Sequence, residues 1–184
     1  YSAYKMLYTL IEIEASKRPD LKHIVIFLGD YIDRGPDSSK IIESLRNLKS
    51  DAIQNVFLIG NHEYSFLEYM KDPHANEQWL QFGGIQTVQS YGCLINDGPI
   101  LPSEIEVLQK KLNSRVPKEH LNFLNSLDHM SIYGDYAFVH AGIRPGLPLS
   151  EQKNEDLRFI REPFLSWEEP HEKCIIHGHS ITKE

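Results

Sequence analysis

Cysteine is scarce: Cys93 and Cys174 are the only two in 184 residues, and neither falls in a Cys-x-x-Cys spacing. A disulfide framework and a cysteine-built zinc knuckle are thereby excluded, and a reducing, cytoplasmic setting is expected. Long apolar runs are missing, so no stretch reads as a membrane span. Excess positive charge is missing as well. The net charge is -7 and the pI about 5.7, which leaves no basic footprint for nucleic acid or an anionic membrane. No internal repeat or low-complexity segment interrupts the chain. What remains, 41% hydrophobic and 24% charged residues, is the composition of a folded domain with a substantial core. The chain starts at Tyr1 without an initiator methionine or signal-like segment. It stops at Glu184 with no closing element, so both ends read as cut.

The informative stretch is Phe27-Leu28-Gly29-Asp30-Tyr31-Ile32-Asp33-Arg34-Gly35-Pro36. Before it, Ile24 to Leu28 is an apolar, β-branched run that predicts a strand buried on both faces. The run stops at a Gly-Asp pair, and ligand sites of α/β sheets gather at the carboxyl ends of strands. Gly29 and Gly35-Pro36 mark the segment between them as a loop. On their own, Asp33 and Arg34 are equally compatible with a surface ion pair.

Around that loop the spacing predicts a helix from Tyr1 to about Ala15, with Tyr4, Leu7, Leu10 and Ile11 facing inward. A second helix starts at Asp37-Ser38-Ser39, its apolar face made by Ile41, Ile42, Leu45 and Leu48. Val56 to Ile59 is a second strand, ending in Gly60-Asn61-His62-Glu63, with a helix through Phe66 to Met70 beyond. Residues from about 73 to 127 read as a helical insertion, with helices around Ile105–Leu112 and from Pro117 to Leu127. A hairpin follows: Met130–Tyr133, a turn at Gly134-Asp135, then Tyr136–Val139 ending in His140-Ala141-Gly142. A helix is expected from Glu155 to about Phe164, carrying Arg158 and Arg161. Cys174 to Ile176 is a last short strand, ending in His177-Gly178-His179-Ser180.

Four expected strand ends thus deliver the same kind of side chain: Asp30, Asn61 with His62, His140, and His177 or His179. Carboxylate, amide oxygen and imidazole together suit manganese, iron or zinc. His23, His74, His120, His129 and His171 have no such context and read as surface or packing residues.

These motifs, in this order, resemble the phosphoprotein phosphatases of the calcineurin-like metallophosphoesterase superfamily, nearest the bacterial and phage serine/threonine phosphatases. Gly29 to Gly35 is similar to the family's second motif, Gly60 to Glu63 to the third, His140-Ala141-Gly142 to the fourth and Gly178-His179-Ser180 to the last. Ile160-Arg161-Glu162 resembles the segment with a second phosphate-binding arginine. Trp79-Leu80, Gly83-Gly84 and Ser90-Tyr91-Gly92 resemble the bacterial branch. The resemblance implies an α/β fold, a layered β-sandwich flanked by helices with the helical insertion, in a single domain over 1–184.

It also implies roles. Asp30 bridges two divalent ions, manganese first with iron or zinc as alternatives. Asn61, His140 and His179 complete the second ion's ligands. His62, oriented by Asp33, protonates the leaving alkoxide after attack by metal-activated hydroxide. Arg34, Arg161 and Asn61 hold the phosphoryl oxygens, and His177 has no ligand role. The family's first motif, Gly-Asp-x-His-Gly, is not found here, so the remaining ligands of the first ion are expected outside this chain. The expected substrate is a phosphorylated protein or a small phosphoester. Two other readings stand beside it: a dinucleoside tetraphosphate hydrolase and a degenerate relative that binds without chemistry.

Overall fold

The computed structural model describes residues 2–95, 98 and 100–181. Helices and short strands alternate, and none of the described helices is long and apolar enough to cross a membrane. Helix α1 (Ser2–Ser16) leads into strand β1 (His23–Phe27), helix α2 (Ser38–Arg46), strand β2 (Ile53–Phe57) and helix α3 (Asn61–Lys71). A π-helical turn (Leu80–Gly84) and helices α4 (Ile85–Ser90), α5 (Pro102–Asn113) and α6 (Lys118–Asn125) follow. The chain then returns to sheet in β3 (Met130–Tyr133) and β4 (Tyr136–Val139), passes through helix α7 (Asn154–Phe159) and closes the second sheet with β5 (Cys174–Ile176).

Strand register fixes which residues meet at the rim. β1 and β2 pair in parallel with Phe27 opposite Phe57, so three residues further on Asp30 comes beside Gly60. β4 and β5 pair in parallel with Phe138 opposite Ile176, so His140 comes beside Gly178, whose N–H donates to the His140 carbonyl at 2.8 Å. β3 pairs antiparallel with β4 as the expected hairpin. The two sheets are tied together by the Leu58–Asp128 bridge and by the Nδ1 of His140, 2.6 Å from the Leu28 carbonyl. The main core lies under the helices between β2 and β3, around Phe66, Tyr69, Trp79, Val88, Leu112 and Leu124.

Several local expectations are corrected. Residue 1, the expected start of the first helix, lies outside the described residues. On α1 the buried stripe is Tyr8 and Ala15, with Tyr4 and Ile11 beside them, while Leu7 and Leu10 are 59% and 56% exposed. The apolar residues fit two overlapping helical stripes, and the aromatic one prevails: the Tyr8 ring stacks on Phe27 and its hydroxyl donates to Asn55 Oδ1 at 3.0 Å. β1 is half-buried rather than enclosed on both faces, because β2 is its one strand partner among the described residues. β2 begins earlier than expected: polar Gln54 and Asn55 hide the strand in the sequence, yet each is held, Gln54 by the Tyr133 hydroxyl. Helix α7 stops at Phe159, where the chain turns extended at Ile160 (φ -60°, ψ 139°). Arg161 therefore projects from a loop, not from a helix.

Candidate active site

The loop after β1 and the start of α3 approach closely enough to require glycine. A Cβ on Gly29 (φ 99°) would lie 2.6 Å from the Gly60 nitrogen and 2.7 Å from His140 Nδ1. A Cβ on Gly60 would lie 2.5 Å from Asp30 Oδ1. Glu63, the third residue of α3, locks the two segments together. Its fully buried carboxylate accepts the N–H groups of Gly60 (2.9 Å), Asp30 (2.9 Å) and Tyr31 (2.6 Å). Burial, then Asp30, pushes that carboxyl up to about 7, against the three donors that favour its charge. Sequence reading gave Glu63 no task. Its signal was the capping position three residues after Gly60.

Four ligating atoms converge from the four strand ends. Asn61 Oδ1 lies 2.9 Å from both His140 Nε2 and His179 Nδ1. His140 Nε2 lies 3.2 Å from His179 Nδ1 and 3.3 Å from Asp30 Oδ1. His140 donates Nδ1–H to Leu28, so in the neutral ring its Nε2 offers a bare lone pair. Burial pulls the pKa of His140 down, and burial with His140 and Arg161 pulls that of His179 down to about 4, so both rings favour the ligating form. Lone pairs of carboxylate, amide and imidazole pressed together repel unless a cation stands among them. Four donors about 2.1 Å from one ion in a tetrahedron stand about 3.4 Å apart, close to the spacing found here. The residues present therefore fit a divalent metal. The His177 ring meets Phe164 edge-on at 4.9 Å, and its side chain is not part of the Asp30–His140–His179 group.

Next to this cluster, His62 Nδ1 stands 2.6 Å from Asp33 Oδ2. That bond, the largest influence, raises the His62 pKa against the opposing effect of burial. Asp33 is in turn held by residues of the helical segment. Trp79 Nε1 donates to its Oδ2 at 2.9 Å and Thr87 Oγ1 to its Oδ1 at 2.6 Å, while its own N–H donates to Thr87 Oγ1 at 2.9 Å. The Arg34 N–H donates to the Gly83 carbonyl in the π-turn at 3.1 Å. The contribution of Thr87 and Trp79 was missed from sequence, since nothing links them to Asp33 along the chain. Arg34, Asn61, His62, Arg161 and His179 all line one cleft of about 890 Å³. Arg161 Nη1 donates to Ser180 Oγ at 3.1 Å.

Backbone conformation singles out the same places. Among the described residues, those other than glycine with positive φ are Asp30 (58°), Asp33 (72°), Arg34 (58°) and His179 (60°). Such backbone costs energy and persists where surrounding contacts over-determine it.

The family model described as calcineurin-like phosphoesterase matches residues 2–183. The chain belongs to that family. Among curated relatives, a symmetrical bis(5'-nucleosyl)-tetraphosphatase of Nitrosospira multiformis is 24% identical over 95% of this chain and 50% of its own length. A zinc-dependent endopolyphosphatase of Saccharomyces cerevisiae is 30% identical over 66% of the chain and 38% of its own length. A putative serine/threonine-protein phosphatase of Caenorhabditis elegans is 33% identical over 45% of the chain and 20% of its own length. The chain thus spans half or less of the curated relatives it matches.

Proposed function

We propose that this phosphoesterase chain carries a metal-dependent site for hydrolysing phosphate esters, with phosphoserine and phosphothreonine of proteins as its substrates. The observation behind the reading is the His62–Asp33 pair beside the Asp30–Asn61–His140–His179 cluster, in one cleft with two guanidiniums. The reading takes 1–184 as one domain, working in a reducing, cytoplasmic setting. Asp30, Asn61, His140 and His179 would hold one divalent ion, manganese by preference with iron or zinc as alternatives, and a second ion would draw on Asp30. When bound, such ions lower the pKa of water and offset phosphoryl charge.

The chain's own groups do the rest. Arg34 and Arg161 grip the phosphoryl oxygens with planar donors that match them, and Asn61 adds an amide at the start of α3, where the helix end favours an anion. As the oxygen of water bonds to phosphorus, the bond to the leaving oxygen breaks and its electron pair stays with that oxygen. His62, charged because Asp33 accepts from its Nδ1, donates the Nε2 proton there. Asp33 keeps the ring's tautomer and orientation, and Trp79 and Thr87 hold the Asp33 carboxylate in place.

A second reading is hydrolysis of dinucleoside tetraphosphates. It is favoured by the cationic cleft and by the tetraphosphatase of Nitrosospira multiformis, which is similar over 95% of the chain. The test is turnover by the intact protein, stripped of metal and reloaded with manganese, iron or zinc, on a phosphoserine peptide and on diadenosine tetraphosphate. Faster turnover of the peptide supports the first reading. Cleavage of the dinucleotide alone replaces it, and activity undiminished by stripping overturns both.

A further inference from the structure

Arg158 is a buried cation that the chemistry above leaves unused. It lies on α7, is 8% exposed, and lines the same cleft as Arg34 and Arg161. Its guanidinium carbon stands 3.9 Å from the Tyr64 ring centroid, and its Nη1 is 3.4 Å from His129 Nδ1. Its Nε is buried with no hydrogen-bond partner among the described residues, and no ion pair is formed there either. Burial lowers its pKa, with Tyr64, Glu155 and Glu68 opposing. A guanidinium stays charged, and taking that charge out of water is costly unless it is paired. Stacking on one tyrosine offsets only part of the cost.

Position gives the unpaired charge its meaning. Arg161 sits by the ligand cluster, on Ser180 and within reach of His179. Arg158 contacts Tyr64 and His129, which lie outside that cluster. The cleft's volume of about 890 Å³ leaves room beyond a single phosphoryl group.

We propose that Arg158 is a specificity residue that binds a second phosphate of the substrate, so that the cleft accepts a phosphate chain with one end at the reacting centre. This rests on the second reading of the site, hydrolysis of phosphate chains such as dinucleoside tetraphosphates, and not on the phosphoprotein one. Inorganic polyphosphate and nucleoside polyphosphates share the chemistry that Arg158 recognises, a dense row of anionic oxygens matched by a planar fork of donors.

The test uses the intact, metal-loaded protein, with free ion kept in excess over any chelating phosphate. Arg158→Leu keeps an apolar stem and deletes the charge together with the guanidinium that stacks on Tyr64; Arg158→Lys keeps the charge and loses the fork. On diadenosine tetraphosphate or tripolyphosphate, Arg158→Leu should lose at least about tenfold in kcat/KM, mainly through KM. On nitrophenyl phosphate it should lose less than about threefold, and Arg158→Lys should fall between. Loss on both chain substrates makes the phosphate row itself the ligand, whereas loss on the dinucleotide alone ties the subsite to nucleosides. Equal loss on all three substrates, or none on the chains, overturns the proposal. A greater loss on a phosphoserine peptide with acidic neighbours than on either chain substrate also overturns it.

Calorimetric titration of the wild-type protein covers two remaining cases, a Leu variant that fails to fold and a protein that hydrolyses none of these esters. Tripolyphosphate should bind at least about tenfold tighter than orthophosphate. Equal affinities overturn the role of Arg158 whatever the activity, while absence of all hydrolysis counts against the proposed function alone.

Discussion

Asp33 and His62 are enclosed, with side chains 0% and 9% exposed, and every polar atom of the Asp33 carboxylate has a protein donor. Asp30, a few residues away, has a side chain 36% exposed, and it faces His140, Asn61 and His179 around a common point. The first pair is complete as protein. The second group is four ligating atoms crowded together, stable in proportion to what a cation supplies. Orientation and charge neutralisation are thus provided by separate parts of the fold: helices between the sheets for one, strand ends for the other.

The largest effect expected from that division is on ion binding. In the wild-type protein, a divalent ion at 100 times its dissociation constant should raise stability by about 2.7 kcal/mol. In His140→Ala this gain should vanish together with turnover, in addition to the lower melting point of the chelated variant that follows from losing a buried ring and its bond to Leu28. A His140→Ala protein that is still stabilised by ion to the wild-type extent would show that the cluster is not the site.

Next comes the proton donor. His62→Asn should reduce kcat on an alkyl phosphate by roughly 10²–10⁴-fold and leave the ion-induced stabilisation in place. The loss should shrink on nitrophenyl phosphate, whose leaving group needs little protonation. Matching losses on the two esters would remove His62 from that role.

The smallest effects should come from the residues behind Asp33. Trp79→Phe and Thr87→Val each delete one donor to a buried carboxylate, at a cost of about 1–3 kcal/mol in unfolding free energy. Turnover should drop while ion affinity stays at the wild-type value, measured by titration. Weakened ion binding in either variant would mean that the two parts are not separable.

Much of this was legible in the chain because strand ends announce themselves. An apolar run stopped by Gly-Asp or Gly-Asn needs no knowledge of tertiary structure, and parallel register does the rest, bringing Asp30 beside Gly60 and His140 beside Gly178. The hairpin and helices α5 and α6 were similarly written in local turn and capping residues. What stayed hidden is long-range and specific. Thr87 and Trp79 reach Asp33 across 54 and 46 positions, and no periodicity marks them as donors. The inward stripe of α1 was misassigned because leucine counts heavily in any apolar pattern, yet tyrosine supplied both a ring for Phe27 and a hydroxyl for Asn55. Arg161 lies in a loop because the chain turns extended at Ile160, and the apolar spacing from Leu157 to Phe164 does not reveal that break.

The separation along the chain of the groups that meet at the rim has a kinetic consequence. Asn61 meets His179 across 118 positions, and Leu28 meets His140 across 112. The loop bearing Asp30 and Asp33 depends for its left-handed backbone on Glu63, Gly83 and Thr87, all synthesised after it. Helices can form early from local contacts, but a rim closed by such distant partners must wait for the ordering of nearly the whole chain. During refolding, helical signal should therefore return well before ion affinity. On a ribosome, competence should emerge only after β5 has docked beside β4 and brought His179 to its neighbours.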